Sequence, residues 1–185
     1  MTSLSPKEQY KKNIASQLQS ELGIKNKHLV PFLQKVVVNI GLGRASQAPN
    51  FSDKILPEIT KELASITGQA PAPRAAKKSI AGFKLREGQP VGLQVTLRGN
   101  RMYGFIDKIV KTTFPRVRDF KGIDLKNVDT NGNLNIGFKE HVVFPEIIQD
   151  SSSVNFGLQV TCVVSARTRE EAIALYRKLG FLFRK

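Results

Sequence analysis

Residues Gly92 to Arg98 put Leu93, Val95 and Leu97 on one side of an extended chain and Gln94, Thr96 and Arg98 on the other. Side chains alternate across a strand with period two, so this segment is satisfied only with one face buried and the other wet. A one-sided strand belongs to an antiparallel sheet, because parallel sheets are covered on both faces. Something amphipathic must then cover the apolar side, and four segments qualify. Ser5-Pro6-Lys7-Glu8 has the spacing of a capping box with proline in the first turn; Tyr10, Ile14, Leu18 and Leu22 follow at helical intervals up to Gly23. Leu56, Ile59, Leu63 and Ile66 predict a second helix ending at Gly68, which must start near Pro57 or kink there. Met102, Phe105, Ile106 and Ile109 predict a third, starting near Asn100 and stopping before Pro115. Thr168 to Glu171 repeats the capping spacing ahead of Ala172, Leu175 and Leu179, with Gly180 as the stop. Lys35 to Ile40 and Val154 to Ser165 read as further strands, and 122–135 as a loop with a turn at Asn131-Gly132-Asn133. With no repeat or linker, the expectation is one α+β domain over residues 1–185: a largely antiparallel sheet packed against helices.

Charge says what such a sheet would meet. The chain has 29 Lys and Arg against 15 Asp and Glu, a net +14, which favours phosphate backbones or anionic surfaces. Arg74, Lys77, Lys78, Lys84 and Arg86 crowd into the segment 74–86 without an acid, and its Pro and Gly neighbours predict a long basic loop. Ile80, Phe83 and Leu85 are interleaved with these cations. Phe83 then either stacks on a nucleic acid or folds back, with Ile80, onto the core. A second cluster holds Arg98, Arg101, Lys108, Lys111, Arg116, Arg118 and Lys121, offset only by Asp107 and Asp119. Arg116 and Arg118 project the same way if their segment is extended.

Catalytic patterns do not assemble. Gly41-Leu42-Gly43 follows a strand but lacks the rest of a dinucleotide fingerprint, and there is no phosphate-binding Gly-Lys-Ser/Thr loop. Arg101-Met102-Tyr103-Gly104-Phe105-Ile106 is faintly like an RNA-recognition strand, but its apolar spacing is helical and predicts core. His28 and His141 have no ligand or nucleophile neighbours at diagnostic spacing, and Glu140 and Glu146 have no paired acid. Cys162, the only cysteine, sits in an apolar run and reads as a small buried hydrophobe. The stretch Leu29 to Ile40 is interrupted and too short to span a bilayer, and the first residues lack a secretory or transit pattern. The expectation is a soluble, cytosolic binding protein without metal or cofactor. A nonspecific nucleic-acid module and an enzyme acting on an anionic substrate are the competing classes.

Several blocks, in order along nearly the whole chain, carry a resemblance. They are Lys35-Val36-Val37-Val38-Asn39-Ile40-Gly41-Leu42-Gly43, Ile66-Thr67-Gly68-Gln69, Lys77-Lys78-Ser79-Ile80-Ala81-Gly82-Phe83-Lys84-Leu85-Arg86 and Val95-Thr96-Leu97-Arg98-Gly99. Pro115-Arg116-Val117-Arg118-Asp119-Phe120-Lys121-Gly122, Phe144-Pro145-Glu146-Ile147 and the final Gly180 to Lys185 complete the set. The chain resembles the L-five family of the large ribosomal subunit, bacterial type. The resemblance implies a sheet that grips 5S rRNA in the central protuberance of a cytoplasmic ribosome, through Asn39, Gln69, Thr96 and Arg98. For Asn39 the residues alone leave a second role open, closure of the turn at Gly41. The resemblance also implies that Arg74, Lys77, Lys78, Ser79 and Lys84 approach the peptidyl-site tRNA. Arg116, Arg118, Glu146 and the stretch Glu140 to Ser153 would meet a small-subunit head protein across an intersubunit bridge. Large-subunit rRNA and neighbouring large-subunit proteins are the further partners implied. Departures are Ala70 in place of a usual Lys, His141 for Gln, Leu182 for Pro, and a 128–135 loop without the usual Phe, Arg and Tyr.

Overall fold

The computed structural model describes residues 5–43, 45–147 and 154–184. Among them five strands, β1 (Phe32–Gly41), β2 (Ala72–Ala75), β3 (Pro90–Leu97), β4 (Leu134–Phe138) and β5 (Leu158–Ser165), form an antiparallel sheet in the order β2-β3-β1-β5-β4. Four helical runs accompany it, so the α+β expectation holds. Helix α1 is Pro6–Gln9 continued by a π-helical Tyr10–Ile14 and by Ala15–Glu21, and α2 is a π-helical Phe51–Ile55 followed by Leu56–Thr67. Helix α3 is Gly99–Lys108, a π-helical Ile109–Thr113 and Phe114–Arg116, and α4 is Arg169–Lys178.

Local chemistry explains the boundaries. The Ser5 capping box forms: its hydroxyl accepts from Glu8 N while the Glu8 carboxylate accepts from Ser5 N at 3.0 Å. Those bonds draw the Glu8 carboxyl below its usual range. Pro57 does not begin α2; it follows a π-helical turn, a wider ring that tolerates the missing amide hydrogen of proline. The same device corrects the expected end of α3. The helix does not stop before Pro115 but carries through it to Arg116, because the π turn Ile109–Thr113 again precedes the proline. Arg116 therefore closes a helix and is not extended, so the extended segment on which Arg116 and Arg118 would project the same way does not form. Strands β2 and β4 were not expected. The first is four residues with a proline, and the second begins in the last two residues of the expected loop 122–135.

The chain groups into two compact units, and the division falls within β1, β3, β4 and β5. One comprises residues 1–36, 97–136 and 161–185 and the other 37–96 and 137–160. In the first, Leu18, Met102, Phe105, Ile109, Phe114, Leu175 and Phe181 form the core, and the Tyr10 hydroxyl donates to Pro31 O at 2.7 Å. Met102, Tyr103 and Phe105 are buried there, as their helical spacing requires. Cys162 is fully buried, and burial pushes its thiol up to about 12. In the second unit Val38, Ile40, Ile59, Leu63, Ile66, Leu93, Val95, Phe144 and Val160 are buried.

Candidate nucleic-acid interface

Within the second unit, the alternation of β1 and β3 decides which groups reach water. Val38 and Ile40 have no exposure, and Asn39 between them is exposed on the opposite face. On β3, Leu93 and Val95 are buried while Gln94 and Thr96 are partly open. Because β1 and β3 are neighbours, Asn39, Gln94 and Thr96 lie on one polar, hydrogen-bonding face.

Gln69 joins them through a helix ending. Gly68 takes a left-handed conformation, φ 67°, at the C-terminus of α2, which a side chain would resist, and the chain reverses there. The Thr67 hydroxyl, 2.7 Å from Leu63 O and 3.0 Å from Gln69 O, braces the turn. Gln69 then donates its side-chain amide to Thr96 O at 3.3 Å. That bond uses the backbone of Thr96 and leaves its hydroxyl out of it. Arg98, two residues beyond Thr96, is exposed and extended, φ −138° and ψ 164°, as the residue capping α3. It falls in the first unit.

The basic segment is more ordered than the loop expected. Arg74 does not belong to it: it sits in β2, where Arg74 pairs with Gly92, and the strand ends at Ala75. Beyond, Ala76 N donates to Gln89 O and Gly88 N to Ala76 O, and Ile80 bridges to Leu85, so the excursion is a narrow ladder. Ser79 Oγ accepts from Glu87 N at 2.9 Å, and Gln47 Nε2 donates to Phe83 O at 2.9 Å. Lys84 adopts φ 51° at the tip. Lys77, Lys78 and Lys84 are exposed, and so are Ile80 at 46% and Phe83 at 66%. Neither apolar side chain folds back onto the core. Arg116, Arg118 and Glu146 lie away from the core, the two arginines in the first unit and Glu146 in the second. Of the stretch Glu140 to Ser153, residues 148–153 lie outside the described residues.

Two clusters escaped the sequence reading. His141 is buried, stacked on Phe156 at 4.0 Å; its Nδ1 accepts from Phe156 N at 3.4 Å, and Nε2 lies 3.4 Å from Glu62 Oε2. No sequence spacing signals this, since residues 62 and 141 meet only in the fold. The other is Arg74 with Gln94, whose side chains bond at 2.7 Å. Among the described residues no group of His, Cys, Asp and Glu is placed to hold a metal ion, and no helix is long and apolar enough to cross a membrane.

A polar sheet face in a chain of net charge +14 is complementary to a polyanion. Residues 90–183 match the family model for the C-terminus of the ribosomal L5 family, and residues 26–86 that of ribosomal protein L5. The chain belongs to the ribosomal protein L5 family, and is a ribosomal protein rather than an enzyme. It is 47% identical over 176 residues to the large ribosomal subunit protein uL5 of Halothermothrix orenii, covering 95% of this chain and 96% of the relative. The protein of that name from Geobacter sulfurreducens is 48% identical over 178 residues, 96% of this chain and 97% of its own. That from Synechocystis sp. is 48% identical over 175 residues, 95% of each.

Proposed function

We propose that this chain, a structural constituent of the large subunit in cytoplasmic ribosomes, docks 5S rRNA in the central protuberance with the polar face of its sheet. Asn39, Gln69 and Thr96 supply uncharged hydrogen bonds to sugars and base edges, and Arg98 supplies a phosphate contact. Large-subunit rRNA and neighbouring proteins complete its surroundings. The observation that carries the reading is the Gln69–Thr96 bond. It fixes a helix-terminal amide against the half-open Thr96, on the face where Asn39 is exposed and where the described strands carry no carboxylate. Shape and 2′-hydroxyl contacts of this kind suit a folded RNA better than duplex DNA, whose grooves present no such hydroxyls.

The ladder around Lys77, Lys78, Ser79 and Lys84 reaches the peptidyl-site tRNA, its exposed Phe83 offering a stacking plane among the cations. Arg116, Arg118 and Glu146 face a small-subunit head protein across the intersubunit bridge. Titrating the full chain into labelled 5S rRNA with excess tRNA as competitor tests the central claim. Selective retention of 5S rRNA, with affinity falling steeply as salt rises, is the expected result. Equal displacement by any RNA or DNA would leave only a nonspecific basic module.

A further inference from the structure

The pairing of Arg74 with Gln94 carries an inference beyond those contacts, and it rests on the docking role proposed for the Thr96 face. Strand β2 is the sheet edge, where Pro73, lacking an amide hydrogen, is tolerated. Its register with β3 runs evenly from Ala72 to Arg74 and shifts only after Arg74, where Ala75 pairs with Pro90. Opposite Arg74 stands Gly92, whose position admits no side chain, because a Cβ there would lie 2.8 Å from Ile40 O. Residues paired across strands share a face, so Arg74 emerges on the side that holds Gln94 and Thr96. Its Nε donates 2.7 Å to Oε1 of Gln94, the diagonal neighbour.

That single bond holds the guanidinium beside Gln94 and engages Nε alone. Its two Nη groups make no bond, and no carboxylate pairs with Arg74 among the described residues. An oriented, unneutralised guanidinium beside uncharged donors fits a phosphodiester, which accepts two parallel N–H bonds. We propose that Arg74, aimed by Gln94, is a phosphate anchor for the same RNA that the Thr96 face docks, and not a contact of the tip loop. Gln94 acts as the positioning residue.

The test is filter binding of the full chain to 5S rRNA and, separately, to tRNA, over a range of salt. Arg74→Ala should weaken 5S rRNA binding about tenfold and lower the slope of log affinity against log salt by about one. Gln94→Ala should weaken it roughly threefold with the slope unchanged, because the charge remains but its aim is lost. Arg74→Lys should behave like Gln94→Ala, since an ammonium lacks the fork. The double variant Arg74→Ala/Gln94→Ala should be no weaker than Arg74→Ala, the signature of one acting through the other. Thermal melts identify any variant lost to unfolding, and Arg74→Gln then replaces Arg74→Ala. If Arg74→Ala keeps wild-type 5S affinity and slope while Thr96→Ala loses affinity, the docking face stands and the anchor falls. An Arg74→Ala defect confined to tRNA overturns the anchor in favour of the tip loop. If Thr96→Ala also binds as wild type, the docking face itself is refuted and the anchor with it.

Discussion

The Tyr176 hydroxyl lies 3.0 Å from the carbonyl oxygen of Gly132, tying α4 to the turn that opens β4. The Tyr176 hydroxyl oxygen also accepts from Leu134 N at 3.1 Å and lies 3.0 Å from Cys162 O, all of it buried. Asp129 holds the other side of the turn, accepting from Asn133 N and Nδ2. These bonds fasten the turn to α4 and β5. Tyr176→Phe should therefore cost about 1–3 kcal/mol in urea denaturation, since it strands buried polar groups, while leaving 5S rRNA binding unchanged. A loss under about 0.5 kcal/mol would show that these bonds do not hold the turn.

Gly92 tests how tightly β1 and β3 must approach. A Cβ there meets backbone, Ile40 O at 2.8 Å, and not a side chain that could swing away. Gly92→Ala should lower stability by about 1–3 kcal/mol and weaken 5S rRNA binding as well, because spreading the strands separates Asn39 from Thr96. Wild-type melting and binding together would show that the strands yield without cost.

Side chains on the proposed docking face should matter to binding and not to folding. Thr96→Ala removes a hydroxyl while the bond from Gln69 to Thr96 O survives. It and Asn39→Ala should each weaken 5S rRNA binding roughly fivefold, about 1 kcal/mol for one hydrogen bond, with unchanged melting. Lys77→Ala/Lys78→Ala should spare 5S rRNA and weaken tRNA contact. The opposite pattern would exchange the two surfaces.

His141 is a structural residue in a position that sequence could mistake for a ligand. Removing it deletes the Phe156 stack, an acceptor for Phe156 N and the neighbour of Glu62. His141→Ala should cost about 2–4 kcal/mol by chemical denaturation, with 5S rRNA affinity intact wherever the protein remains folded. A near-neutral result would mean that the pocket collapses around the vacancy.

Alkaline pH should unfold the protein through its buried phenols and thiol. Burial pushes Tyr103 up to about 12 from 10.0, and Cys162 up to about 12 from 9.0; it raises Tyr10 and Tyr176 as well. The folded state holds the neutral forms, and the unfolded chain ionises first. The stability they contribute is complete below about pH 9 and is lost as pH climbs toward 12. Melting temperature should fall over that window, and less so in Tyr103→Phe than in wild type. A melting temperature flat to about pH 11 would contradict this.

Local rules were enough for much of the molecule. The Ser5 capping box, the left-handed Gly68, the apolar stripes of α2, α3 and α4 and the alternation of β3 all depend on neighbours a few residues apart, so they are written in order along the chain. The blocks that mark the family are likewise linear, as is the excess of cations. Asn39 and Thr96 could be singled out because each is a polar residue in an apolar alternation. Where reading failed, the missing information was three-dimensional. The π turns that carry helices past Pro57 and Pro115 were hidden by a rule that holds only for regular α-helix. Strand β2 is too short and too proline-bearing to declare itself without β3 beside it, and so Arg74 was assigned to a loop. Gln94 and Arg74, Glu62 and His141, Tyr176 and Gly132 lie far apart along the chain. Hydrogen bonds and contacts between them exist only once loop closure has been offset by burial elsewhere, and that is decided by the packed sheet, not by any segment alone.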